Sequence, residues 1–335
     1  MKKIRRLHWL VKCFILIDLL IIACFVFVYG PNDYAKVYWI TTSMTTNNHR
    51  FLANIFYSED TIKQVMEENT MEELDEETDI SDIVIGSEEE ITSYTSIYER
   101  QILERDKDDL YKLIEFKYKG FNCYLVAIYD PKRIEAAYNN PLSSGQILTD
   151  ISKKNNALVA INGGGYSWAT SKPQGLIVHD GKIVYSQSTA SYVTAAFNED
   201  GILIVGKLSA SDVAKKNIKE ALSFGPVFVA NGKYVTFKGN GGGGENPRTV
   251  IAQRKDGIAF FLVINGYGQG LSWKGRGGVY YTDILTILQR YGAYNAVNMD
   301  GGSSTTLVID NKLINSPCEP LKEGQDFIRS AWILK

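Results

Sequence analysis

Cysteine is scarce in this chain, with four in 335 residues, and two of them, Cys13 and Cys24, fall inside one apolar run near the N-terminus. Only Cys123 and Cys318 lie beyond it, and no spacing that holds zinc or builds a disulfide scaffold exists. Whether these two pair or stay as buried thiols is open from sequence. An excess of either charge is also missing. With 36 basic against 38 acidic side chains there is no broad electropositive surface, and nucleic acid is not an expected partner. The acidic stretch at 66–82 lacks the Asp-x-Asp-x-Asp-Gly pattern of a calcium loop. The glycine cluster in GNGGGGENPR (239–248) is not followed by the Lys-Ser/Thr of a phosphate-binding P-loop, so it reads as a mobile loop over a pocket. Clustered metal ligands are absent too, so the expected site needs no metal and no cofactor. Activity lost to EDTA and restored by a divalent ion would overturn that expectation.

What the chain does have is one long apolar run, residues 7–29, the length needed to cross a ~30 Å hydrocarbon layer as a helix. Lys2, Lys3, Arg5, Arg6 and Lys12 sit at its N-terminal end, which predicts a cytoplasmic N-terminus and an extracytoplasmic remainder. A cleaved signal peptide is the rival reading, but no small-x-small site precedes Gly30-Pro31. Asp18, in mid-span, is assigned no function. The expected organisation is a cytoplasmic tip and anchor over 1–30, an extracytoplasmic acidic stem over 31–110, and a folded domain over 111–335. The stem's like charge and few large apolar residues predict solvated helix or disorder.

From about residue 112 the pattern turns to strand, Gly-containing turn, strand units such as GLIVHDGKIVYS and PVFVANGKYVTF, whose Asp-Gly and Asn-Gly pairs suit tight hairpins. His179 borders one such turn and reads as a turn residue. Helices are fewer. One is predicted over 282–292, capped by Thr282 and ended by Gly292, with Ile284, Leu285, Ile287 and Leu288 on one face. Another is predicted around 143–155. Together these give an α+β fold, a mixed, largely antiparallel sheet core with flanking helices.

Four segments join an apolar strand to small residues and an exposed polar group: ALVAINGGGYSW (157–168), ALSFGPVFV (221–229), GENPRTVIA (244–252) and NAVNMDGGSSTTLVID (295–310). Such strand ends suggest a shared pocket. In order and spacing they resemble the phosphodiester glycosidase family, which includes the uncovering enzyme N-acetylglucosamine-1-phosphodiester α-N-acetylglucosaminidase and bacterial relatives described as exopolysaccharide biosynthesis proteins. That family's pattern runs Ile-Asn-Gly-Gly-Phe, Gly-Pro, Asn-Pro-Arg-Thr, a Leu-rich helix and Asn-φ-Asp-Gly-Gly-x-Ser-Ser/Thr, where φ is apolar. The resemblance covers roughly 120–335. Two departures stand out: Gly165 delays the first aromatic to Tyr166, and Ile264-Asn265-Gly266-Tyr267 replaces the frequent Val-Asp-Gly-Arg.

The resemblance implies hydrolysis of the bond between a sugar's anomeric carbon and a phosphodiester oxygen. Its pattern places Asp300, Arg248 and Asp283 at catalytic positions and Asn162, Gly163, Gly164, Thr249, Asn298, Gly301, Gly302, Ser303 and Ser304 at substrate-binding ones. Phosphate is a weak base, so stabilising its charge matters more than protonating it, and the planar fork of Arg248 suits phosphate, with Thr249 adding a hydroxyl. The Gly163-Gly164 and Gly301-Gly302 backbones can approach phosphate or sugar oxygens. Asp300 is then the carboxylate at the anomeric centre. An internal salt bridge to Arg248 and a helix-dipole role for Asp283 are the structural alternatives. Glu245 is a candidate second carboxylate on loop closure. Tyr166, Trp168, Tyr267, Trp273, Tyr280 and Tyr281 are candidate sugar-facing aromatics. The expected partners are a phosphate-linked envelope or exopolysaccharide glycan and the lipid bilayer, through residues 7–29, with oligomeric state open. A non-catalytic glycan-phosphate scaffold and a transferase remain the alternatives.

Overall fold

The computed structural model describes residues 2–31, 33–44, 50–74, 76–86, 93–167, 169–267, 277–318 and 324–335; Trp168 and Trp273 lie outside them. The chain divides into two compact units, one formed by Met1–Thr70 with Phe237–Gly244 and one by Met71–Thr236 with Glu245–Lys335.

The first unit is helical: α1 (Lys2–Tyr29), α2 (Asp33–Met44), α3 (Arg50–Phe56) and α4 (Glu59–Glu68). From Val11 to Tyr29, α1 is long and apolar enough to cross a membrane. Ser58 caps α4, its hydroxyl accepting the Thr61 amide at 3.3 Å. Ile40, Ala53, Ile62 and Val65 form a small core between α2, α3 and α4. The glycine cluster, expected as a mobile loop, is tied into this unit instead. Lys238 donates its amide to the Thr70 carbonyl, Asn240 donates its amide to Asn69 Oδ1 and its Nδ2 to Thr41 Oγ1, both at 3.0 Å. At Gly239 (φ +55°) a Cβ would stand 2.2 Å from Asn69 Oδ1, so the close approach requires glycine.

The second unit holds α5 (Ile97–Leu103), β1 (Tyr111–Tyr118), β2 (Phe121–Ile128), β3 (Ile134–Tyr138), α6 (Leu148–Asn155), β4 (Val159–Asn162), β5 (Leu176–His179), β6 (Lys182–Ser186), β7 (Tyr192–Asn198), β8 (Leu203–Leu208), β9 (Ile218–Ser223), β10 (Val227–Ala230), β11 (Lys233–Tyr234), β12 (Arg248–Arg254), β13 (Ala259–Ile264), α7 (Tyr281–Arg290), β14 (Ala293–Asn298), β15 (Leu307–Ile309), β16 (Lys312–Leu313) and β17 (Ser330–Leu334). The three larger sheets are ordered β11-β10-β14-β12-β13-β2-β1, β6-β5-β9-β7-β8 and β16-β15-β4-β17-β3. Their strand pairs are antiparallel, giving the expected α+β architecture. The predicted hairpin turns form. Asp180-Gly181 and Asn231-Gly232 each place two successive residues at positive φ, the requirement of a tight turn that matches strand twist.

The inner faces of the three sheets enclose one core that includes Val126, Ile161, Phe197, Leu222, Ile251 and Trp332. The Trp332 indole lies against Phe197 edge to face and points its N–H at Met299 Sδ, 3.2 Å away. On the other side of the seven-stranded sheet, α7 seats Tyr291 against Phe116 and Phe260. The cap of helix α7 lies two residues before the predicted Thr282, at Tyr280, whose amide Asp283 accepts at 3.1 Å. Helix α6 ends at Asn156, which adopts a left-handed conformation. Within the acidic stretch, Glu73, Glu76 and Glu77 pair with Lys207, Lys233 and Lys216. Those lysines come from distant strands and loops, so these three acidic side chains meet partners invisible in the local sequence. Cys123 is a buried thiol whose pKa burial pushes up to about 12.

Candidate active site

Antiparallel register gathers most of the predicted residues at one end of the sheets. Asn162 closes β4, Arg248 opens β12 and Asn298 closes β14, with Val250 opposite Asn298. Past Asn298 the chain crosses between sheets. The Met299 amide donates to the Thr249 carbonyl at 2.8 Å and the Asp300 amide to the Gly163 carbonyl at 3.1 Å. Asp300 is thereby fixed at the seam.

Asn162 is the hub of this seam and is fully buried. Its Nδ2 donates to the Asp300 carbonyl at 2.6 Å, and its Oδ1 accepts from the Thr249 hydroxyl (2.7 Å) and the Thr306 amide (3.1 Å). Asn162 therefore orients Asp300, and the Thr249 proton, expected to face phosphate, points at Asn162. The Asp300 Oδ1 accepts the Gly301 amide at 3.0 Å.

The glycines serve close packing. A Cβ at Gly164 would lie 2.4 Å from the Ser223 carbonyl oxygen. The Gly163 and Gly164 amides donate to Ser330, to its carbonyl at 3.0 Å and its hydroxyl at 3.2 Å. The Gly302 amide donates to the Pro247 carbonyl. Ser303 and Ser304 aim their hydroxyls at Asp326 Oδ2, 3.1 and 3.4 Å away. Asp326 carries no motif that would single it out. Asn298 donates to the Gly225 carbonyl at 2.9 Å, while its buried Oδ1 has no hydrogen-bond partner among the described residues.

Arg248 is 5% exposed and lies over the Tyr281 ring, and its Nε donates to the Val279 carbonyl at 3.3 Å. A Cβ at Gly301 would come within 4.0 Å of Arg248 Cδ, so the aliphatic stem of Arg248 passes close to the turn that follows Asp300. Burial pulls its pKa down, yet a guanidinium starts so high that it stays charged.

Asp283 belongs to an adjoining polar cluster. Besides the Tyr280 amide, its carboxylate meets Lys119 Nζ at 2.8 Å and the Tyr118 hydroxyl at 3.3 Å. Glu245 is the other acid here. Burial raises its pKa first, with the Asp283 charge adding to that, while a hydrogen bond from Tyr280 and the Lys119 charge work the other way. Lys119 sits in a hairpin turn where nothing in the sequence marks it.

Beside this cluster opens a cavity of about 670 Å³ whose lining includes Lys119, Phe121, Asn122, Asn265, Tyr267 and Asn315. Arg248, Ile264 and Cys123 are in register across β12, β13 and β2, so Asn265 and Asn122 lie one residue beyond that row. Asn265 and Tyr267, both in the second departure from the family pattern, thus share one cavity. Tyr267 is 59% exposed and packs edge to face on Phe121. Tyr166 instead lies under the Arg329 guanidinium.

The chain is similar to several known proteins. The chain is 26% identical over 180 residues to the SPbeta prophage-derived uncharacterized protein YomE of Bacillus subtilis (strain 168), a match covering 51% of this chain and 27% of that protein. This chain therefore spans about a quarter of that relative's length. In fold it is similar to the zebrafish N-acetylglucosamine-1-phosphodiester α-N-acetylglucosaminidase catalytic domain, solved in a form auto-inhibited by its pro-peptide. That likeness has a TM-score of 0.57 and 18% identity, over 69% of this chain and 85% of that one. The sequence model for phosphodiester glycosidases matches residues 155–330, a span that holds Asn162, Arg248, Asp283 and Asp300, and with over half its length matched the chain belongs to the phosphodiester glycosidase family.

Proposed function

We propose that this protein is a membrane-anchored glycosidase that hydrolyses a sugar-1-phosphodiester bond in an envelope or exopolysaccharide glycan. The observation that carries this reading is the buried Arg248, stacked on the Tyr281 ring with its stem passing close to the turn that bears Asp300. A preorganised cation near the turn that carries a carboxylate suits a reaction in which negative charge grows on a leaving phosphate and positive charge on an anomeric carbon.

In the proposed reaction the bond from the anomeric carbon to the phosphate oxygen breaks and the electron pair leaves with the phosphate, which Arg248 holds. Asp300 faces the developing positive carbon. Water supplies the oxygen of the free sugar, and its proton leaves through a carboxylate. Glu245, whose raised pKa favours the protonated form, is the second carboxylate and donates to the departing oxygen. Asp283 fixes Lys119 and the start of α7. The neighbouring cavity, with amide groups and the exposed Tyr267 ring, suits the adjoining part of a polyhydroxyl substrate.

The apolar α1 is proposed to anchor the chain with its N-terminus in the cytoplasm, supported by the basic residues that precede the apolar run. The test is to incubate the full chain in detergent, and its Asp300→Asn variant, with nucleotide-sugars and sugar phosphodiesters and to follow free sugar. Release by the wild type and loss in a folded variant supports the reading. Glycan binding without release would favour the scaffold, and sugar appearing on an added acceptor would favour a transferase.

A further inference from the structure

The helical unit exposes large apolar side chains beyond α1 itself. In α3, Ala53 is fully buried against the small core, whereas Phe51 and Ile55 on the opposite face are 55% and 61% exposed. Residues four apart lie one above the other on a helix, so these two form a short apolar stripe. Tyr29 and Tyr34 are 59% and 67% exposed.

The position of this stripe is pinned to the end of the apolar helix. Tyr57 donates its hydroxyl to the Val28 carbonyl at 2.9 Å, and its ring lies 6.3 Å from that of Tyr29. Ile55 is two residues before Tyr57, at most about 7 Å of chain. On its packed side, α3 is held by the Trp39 indole, which donates to the Leu52 carbonyl and meets Phe56 edge to face. The exposed face is therefore set rigidly beside Val28 and Tyr29. From Val11 to Tyr29 the apolar helix is about 28 Å long at ~1.5 Å per residue, which matches the hydrocarbon layer and puts Tyr29 at its edge.

We propose that α3, together with Tyr29 and Tyr34, is an interfacial foot that lies in the headgroup layer of the bilayer crossed by α1. Aromatic side chains are enriched at that depth because their rings are apolar and their hydroxyls stay wet. Arg50, exposed just before Phe51, is placed to reach lipid phosphate. Continuity with the apolar helix selects lipid as the occupant of the stripe. The foot requires that α1 spans a membrane, as proposed above, and it fixes the orientation of the helical unit on the membrane surface.

The test uses the full chain in nanodiscs of phosphatidylcholine and phosphatidylglycerol, with spin labels on a keto amino acid placed singly at Phe51, Ile55, Leu20 and Lys63. Collisions with oxygen and with a water-soluble nickel complex report depth. The expected order is Leu20 deepest, Phe51 and Ile55 at the headgroups with an oxygen-to-nickel ratio several-fold above Lys63, and Lys63 in water. Phe51 and Ile55 reading like Lys63 while Leu20 reads deep would overturn the foot and leave the span. If Leu20 also reads as water, both ideas fall. Labels at Phe51 and Ile55 shielded from both reagents would mean that protein, such as a second copy, covers the stripe, and would overturn the foot as well.

Discussion

The guanidinium of Arg248 lies over the ring of Tyr281, its central carbon 4.3 Å from the ring centroid. Stacking of this kind holds a cation in place before any anion arrives, so little ordering remains to be done on binding. Arg248→Lys keeps the charge but loses both the fork and the stacking, and we expect kcat/KM to fall roughly 100-fold, the scale of one lost preorganised donor. Tyr281→Leu should cost less, about tenfold, since the charge remains. Sugar-release kinetics on both variants, with circular dichroism to show that they fold, check this order. A larger loss in Tyr281→Leu than in Arg248→Lys would contradict the role given to Arg248.

Asn162 joins two sheets through three hydrogen bonds. Asn162→Ala leaves the Thr249 hydroxyl and the Thr306 amide buried without their acceptor, a loss of about 2–4 kcal/mol in unfolding free energy. It also frees the Asp300 carbonyl, so activity should drop even where the variant is folded. Urea unfolding monitored by fluorescence measures the first effect and turnover under native conditions the second. Unchanged stability would show that the seam closes without Asn162.

Glu245 sets the proposed pH dependence. Its folded pKa lies above the ordinary glutamate value, so the proton is held more tightly in the native protein. The protonated acid is complete below the ordinary value and is lost as pH rises through the raised one. The rate should therefore decline over that window. Glu245→Gln should remove this limb and lower the rate by about tenfold, a small effect for general acid catalysis because phosphate leaves readily. A pH–rate profile identical in wild type and variant would exclude Glu245 as the acid.

Glu220 gives a stability prediction away from the site. It is 1% exposed and burial raises its pKa, against hydrogen bonds from the Ala136 and Asp180 amides and the nearby His179. With the folded value above the unfolded one, its contribution is full below the ordinary glutamate pKa and lost as pH rises through the raised value. Unfolding free energy measured at a series of pH values from acid to neutral should fall over that window. The decline should flatten in Glu220→Gln, and an equal slope in both proteins would remove Glu220 as its source.

By itself the sequence determined the local and periodic features. The Asp180-Gly181 and Asn231-Gly232 turns, the apolar face of α7 and the apolar run of α1 follow from conformational preference and period, which act over a few residues. The spacing of the four motif segments was enough to bring Asn162, Arg248 and Asp300 into one expectation. Tertiary structure decided what each side chain meets. Thr249 faces Asn162, Asp283 holds Lys119, Asp326 receives Ser303 and Ser304, and the glutamates after Thr70 find lysines from distant segments. Hydrogen bonds and ion pairs act over about 3–4 Å in space. Which residues come that close depends on sheet order and register, and these are fixed by burying all three sheet faces at once.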